Sequence, residues 1–231
     1  MTSNGPVRLV VFDCDGTLVD SQHMIVAAMQ AAFRACGRDE PEPARVRGIV
    51  GLSLLEAMAR LAPDAETGSH HDLVDAYRSA FATLRGRPEH QDALYPGVVE
   101  ALDDLDRAGF LLGVATGKSL RGLRATIERH ALDGRFATLQ TADAAPSKPH
   151  PGMLERAMAE VGAEATRTVV VGDTTFDMEM AANAGVEAIG VSWGYHPSAA
   201  LRQSGAREII DDFAALAPIV RTIVTEAGGT E

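Results

Sequence analysis

Four short runs of consecutive apolar residues, each followed at once by a polar cluster, constrain this chain more than any other feature of it. The first, Leu9-Val-Val-Phe12, is continuous rather than alternating, and the runs at 110–115, 168–171 and 186–191 behave alike. Such runs read as strands covered on both faces, which occur in parallel sheets flanked by helices. Helical spacing fills the intervals at 98–108 and 152–161, each closed by a glycine, and at 120–132. Strand and helix alternate, so the expected fold class is α/β, a doubly wound parallel sheet.

The interval 20–91 breaks that alternation. It holds helical patterns at 24–36, 54–61 and 73–84, with Ser21 placed to cap the first, and no convincing strand. Residues 1–19 and 92–231 are therefore expected to form the core, and 20–91 an inserted helical cap domain. Pro96-Gly97 marks the return to the core.

Apolar and charged fractions of 46% and 23% are those of an ordinary globular chain. A net charge of −11 opposes binding to nucleic acid, whose recognition needs a field attracting phosphate. Asp13 and Asp15 interrupt the first apolar run too early for a signal peptide, and no run reaches the roughly 20 apolar residues of a membrane span. A cytoplasmic protein without membrane or nucleic-acid partners is expected, as monomer or homodimer. Cys14 and Cys36 fit no disulfide or metal pattern and are expected to be reduced and buried.

In open α/β sheets ligands bind beyond the carboxyl ends of the strands. There the chain carries Asp13-Cys-Asp-Gly-Thr17, Thr116-Gly-Lys118, Ser147-Lys-Pro-His150 and Gly172-Asp-Thr-Thr-Phe-Asp177. Asp13 and Asp15 repel one another unless a cation offsets them. Asp173 and Asp177, four apart at a helix start, are expected on one face near the positive end of the helix dipole. With Asp13 they offer hard oxygen ligands of the kind Mg²⁺ prefers. Gly113 to Ser119 is one residue short of a nucleotide-binding P-loop. His70 and His71 are adjacent and read as solvent-exposed, while Trp193 and Tyr195 read as packing residues.

Asp13-x-Asp15-Gly-Thr-Leu-x-Asp-Ser21, Thr116, Lys148-Pro and Gly172-Asp-x-x-x-Asp177 resemble, in order, the four motifs of the haloacid-dehalogenase-like hydrolases, closest to the phosphoglycolate-phosphatase-like branch. The resemblance implies a Mg²⁺-dependent phosphatase for a small phosphomonoester, 2-phosphoglycolate first among candidates, working through an aspartyl-phosphate. Asp13 is then the nucleophile and Asp15 the general acid and base. Thr116, Gly117 and Lys148 would bind the phosphoryl group, Thr116 and Lys148 as catalytic residues. Asp13, Asp15 through its backbone carbonyl, Asp173 and Asp177 would hold the metal. Gly117 departs from the Asn common at that position. A phosphosugar mutase of the same fold and a non-catalytic phosphate-binding module are the alternatives.

Overall fold

A computed structural model describes residues 5–86 and 92–228. Among these, six strands form one parallel sheet in the order β5-β4-β1-β6-β7-β8: β1 Leu9–Phe12, β4 Leu111–Thr116, β5 Thr138–Thr141, β6 Thr168–Gly172, β7 Glu187–Val191 and β8 Glu208–Ile210. β1 lies between β4 and β6, in register Phe12 with Val114 and with Val171. Every side chain of β1 is fully buried. Because strand side chains alternate, Val10 and Phe12 join one apolar layer with Leu102, Leu105 and Phe213, while Leu9 and Val11 join the opposite one with Met153, Leu154 and Met178.

Helices cover both faces: α5 Val98–Arg107, α6 Leu120–Arg129, α7 Gly152–Val161, α8 Thr175–Asn183, α9 Ser198–Gln203 and α10 Leu216–Gly228. The fold is the doubly wound α/β class. After β1 the chain builds outward through β4 and β5, then crosses back to lay β6 on the other side of β1. The reversal opens a crevice over the carboxyl ends of β4, β1 and β6, where ligands bind in such sheets.

Four further helices, α1 Gln22–Ala35, α2 Pro43–Arg47, α3 Leu54–Leu61 and α4 Thr67–Arg85, lie between two short strands, β2 Val19–Asp20 and β3 Ala93–Leu94. β2 and β3 pair antiparallel, Val19 with Leu94 and Asp20 with Ala93. The four helices share their own apolar cluster, which includes Met29, Phe33, Val46, Met58 and Leu73. Residues 87–91, where the expected boundary of the inserted unit falls, lie outside the described residues.

Several local readings need correction. The helix expected over 120–132 stops at Arg129, and Ala131 takes a positive φ of 53°. Cys36 is exposed, because it follows the last residue of α1 rather than facing a core. Ser21 stands at the head of α1 but makes no side-chain cap. β5 and β8 were not among the expected strands. Both are edge strands with polar content, and β5 buries its polar groups by pairing them: Thr138 Oγ1 and Gln140 Nε2 donate to Glu160 Oε2 at 2.6 and 2.8 Å.

Candidate active site

The crevice gathers side chains from five stretches of sequence. Asp13 follows β1 directly, its N–H donating to Val171 O at 2.9 Å, so the backbone register that pairs β1 with β6 also aims this residue. Lys148 Nζ lies 2.9 Å from Asp13 Oδ1 and 2.6 Å from Asp177 Oδ1. All three are essentially inaccessible to solvent.

Asp177 is the third residue of α8. Its Oδ2 accepts the Thr174 N–H at 3.1 Å and the Thr174 hydroxyl at 2.7 Å, while Thr174 Oγ1 accepts the Asp177 N–H. This reciprocal capping box satisfies donors at the helix head and locks the carboxylate toward the crevice. Asp173 precedes the cap, so it is not on the helix face with Asp177 as the spacing predicted. It is held instead by Thr17 Oγ1, donating to Oδ1 at 2.8 Å, and by the Tyr195 N–H, donating to Oδ2 at 2.9 Å. The backbone crowds this carboxylate so closely that a Cβ on Gly194 would lie 2.1 Å from Asp173 Cβ, and one on Gly16 2.3 Å from Asp173 Oδ2. Only glycine at both positions leaves room for it.

Carboxylate oxygens of Asp13, Asp173 and Asp177 lie within 4.8 Å of one another. Burial, with the Asp177 and Asp15 charges, pushes the Asp13 carboxyl up to about 7 against the opposing pull of Lys148. Burial and the Asp13 and Asp177 charges likewise raise Asp173 well above the usual carboxylate range. Burial works against the Lys148 ammonium, yet its two acidic neighbours outweigh it and raise its pKa. Among the described residues, one cation for three buried carboxylates leaves an excess of negative charge, and Asp13 Oδ2 has no hydrogen-bond partner. A buried, under-paired set of hard oxygens fits a divalent cation such as Mg²⁺.

Asp15 stands apart from that cluster. Lys118 Nζ donates to both its oxygens at 2.8 Å, and Ser21 Oγ donates to Oδ1 at 2.6 Å. Its side chain contributes no oxygen to the three-carboxylate group. Thr116, at the end of β4, is buried and accepts the Lys118 N–H at 3.2 Å. Ser119, not Thr116, caps α6. Gly117 lies between Thr116 and Lys118. The expected site residues are thus brought together at one end of the sheet.

The sequence by itself gives Lys118 no role, and it offers Ser21 as a cap and as the end of the first motif without tying it to Asp15. The available signal was positional: Lys118 follows a fully buried strand at its carboxyl end, where a cation has few reasons to be other than a ligand or a counter-charge. Tyr195 combines packing with a polar role: its ring packs against the α1–α4 cluster, and its hydroxyl lies 3.4 Å from Ser21 Oγ. Trp193 Nε1–H donates to Thr17 O at 3.2 Å, and its ring packs on Phe213. Cys14 is buried in the core, as alternation requires. His70 is half-buried against Ala62 O, and His71 is exposed.

With three buried carboxylates around one lysine and Asp15 paired separately to Lys118 at the switch point of this sheet, the chain is matched over residues 10–191 by the family model described as haloacid dehalogenase-like hydrolase. It belongs to that family, within the phosphoglycolate-phosphatase-like branch. Two curated relatives are the probable phosphatase IndB of Dickeya dadantii (strain 3937), 38% identical over 89% of this chain and 90% of that one, and the phosphoglycolate phosphatase of Vibrio parahaemolyticus, 30% identical over 93% and 96%. A crystal structure of a hydrolase from Pseudomonas syringae superposes with a TM-score of 0.81 at 26% identity, covering 94% of this chain and 99% of that one.

Proposed function

We propose that the protein is a Mg²⁺-dependent phosphatase that hydrolyses a small phosphomonoester through an aspartyl-phosphate on Asp13. The observation that carries this reading is the state of Asp13: one oxygen faces Lys148, and the other, Oδ2, is buried without a hydrogen-bond partner among the described residues, beside two more carboxylates. A nucleophile held this way has an unengaged lone pair and a fixed direction of attack, and phosphoryl transfer depends mainly on such positioning and on charge stabilisation.

Asp13 Oδ2 forms a bond to phosphorus as the ester P–O bond breaks, and Asp15 gives a proton to the departing oxygen. In the second half Asp15 takes a proton from the water that attacks the aspartyl-phosphate, which frees inorganic phosphate and restores Asp13. Lys118 and Ser21 orient Asp15 between the two steps. Thr116 and the backbone beside it bind the phosphoryl oxygens, and Lys148 steadies the charge that grows on them. Asp13, Asp173, Asp177 and the Asp15 backbone carbonyl would hold Mg²⁺, which supplies electrostatic stabilisation of the transferring group. Residues 20–91 act as a cap that excludes water during transfer.

Among substrates 2-phosphoglycolate is the first candidate, because the named phosphoglycolate phosphatase is among the relatives and align over nearly the whole chain. The test is a kinetic screen of phosphomonoesters, with and without Mg²⁺, followed by inorganic phosphate release. Metal-dependent release with 2-phosphoglycolate at the highest kcat/KM is expected. Isomerised sugar phosphate without net phosphate release would identify a mutase, and no turnover on any ester would identify a binding module.

A further inference from the structure

Gly117 stands where the family commonly has Asn, and its φ does not lie in the left-handed region, so backbone conformation does not call for glycine here. Space does. A Cβ at this position would lie 2.3 Å from Leu52 O, 2.7 Å from Gly51 O and 2.8 Å from Leu52 C. These are backbone atoms of the turn between α2 and α3, and they have no rotamer by which to swing away.

The same turn touches two other loops of the site. The Ser53 N–H donates to Ser147 Oγ at 2.9 Å, next to Lys148, and a Cβ on Gly51 would lie 3.3 Å from Thr174 Oγ1. One turn of the helical unit therefore rests on the loops that carry Thr116, Lys148 and Asp177. With it seated, Asp13, Thr116 and Lys148 are each 1% exposed and Asp173 and Asp177 are 0% exposed. An ester bound at this site would be enclosed by the turn only where the turn returns to a notch that holds no side chain.

We infer that Gly117 is a specificity-determining residue: its missing side chain lets the 51–53 turn close directly over the phosphoryl site, which restricts the enzyme to compact alkyl monoesters. This rests on the phosphatase reading and names the substrate class that the closed site takes. A side chain at 117 props the turn open, so small esters lose their enclosure while bulky aryl esters, which never had it, lose little.

The test compares the full chain with Gly117→Ala, Gly117→Asn and Ser147→Ala, all with Mg²⁺, on 2-phosphoglycolate and 4-nitrophenyl phosphate. In the Gly117 variants kcat/KM for the alkyl ester should fall about tenfold or more, and that for the aryl ester less than about threefold. Ser147→Ala, which loosens the seat without a clash, should shift the ratio in the same direction by a smaller factor. Equal losses on both esters, unchanged rates on both, or a ratio shifted the other way would overturn the inference. Hydrogen exchange at the Ser53 amide supplies a readout independent of turnover, and should quicken about tenfold in Gly117→Ala. Unchanged exchange in Gly117→Ala would overturn the inference even if the wild type proved active, whereas quickened exchange in Gly117→Ala together with a wild type inactive on every ester would sink the phosphatase reading and leave the contact between Gly117 and the turn standing.

Discussion

Replacing Asp13 by Asn should abolish turnover and, in the absence of metal, make the protein more stable. Asp13 is fully buried and its carboxyl is held at about 7 instead of its ordinary 3.8. Each tenfold change in a proton equilibrium is worth about 1.4 kcal/mol, so the ionised side chain burdens the folded state by roughly 4 kcal/mol. For a raised pKa the stability is intact below 3.8 and is lost as pH rises through about 7. The Asn amide carries no charge, but an amide buried without a full set of partners costs about 1–3 kcal/mol itself. The expected net gain at pH 8 in EDTA is therefore roughly 1–3 kcal/mol, or about 3–10 °C in Tm for a chain of this size. Thermal melts from about pH 5.5 to 8.5, with chelator and with Mg²⁺, measure it. The wild-type Tm should fall across that range more steeply than the variant's, and Mg²⁺ should close the gap by stabilising only the wild type. Parallel pH slopes in chelator, or a variant that melts below the wild type at pH 8, would refute the account of an over-charged acidic cluster.

On the proposed reading Mg²⁺ displaces the same proton, so affinity should rise between about pH 6 and 8 with proton release, seen as buffer-dependent heats in calorimetry. Thr174→Ala removes the cap and the hydroxyl bonded to Asp177 Oδ2. It should cost about 1 kcal/mol of stability by denaturant titration and weaken Mg²⁺ binding about ten- to a hundredfold. Lys118→Met, which among the described residues leaves Asp15 with Ser21 as its side-chain hydrogen-bond partner, should lower kcat at least about tenfold while single-temperature circular dichroism stays unchanged.

The sheet was legible where burial on both faces wrote continuous apolar runs, as in Leu9–Phe12 and Thr168–Gly172. It was illegible at β5, whose Thr138 and Gln140 are satisfied by Glu160, a residue on α7 that no local pattern connects to them. The acidic residues were legible because Asp13 and Asp173 directly follow strands, Asp15 lies two residues beyond Asp13, and Asp177 heads a helix. Lys118 and Ser21 were not, since a lysine in a loop and a serine before a helix have ordinary local explanations. Their meeting on Asp15 depends on chain segments 103 and 6 residues away. The contact between Gly117 and the 51–53 turn is of the same kind: the residue type was visible, and the neighbour that requires it was not.

The pairing of Val19 with Leu94 and Asp20 with Ala93 brings together the two ends of the stretch that holds α1 to α4. Everything between them is, in topological terms, one long excursion from a two-residue ribbon. The strand order, the backbone bond from Asp13 to Val171 and the Asp177 capping box owe nothing to what that excursion contains. A change in the length or composition of that excursion would leave the carboxylates beneath it held by the same sheet and the same cap.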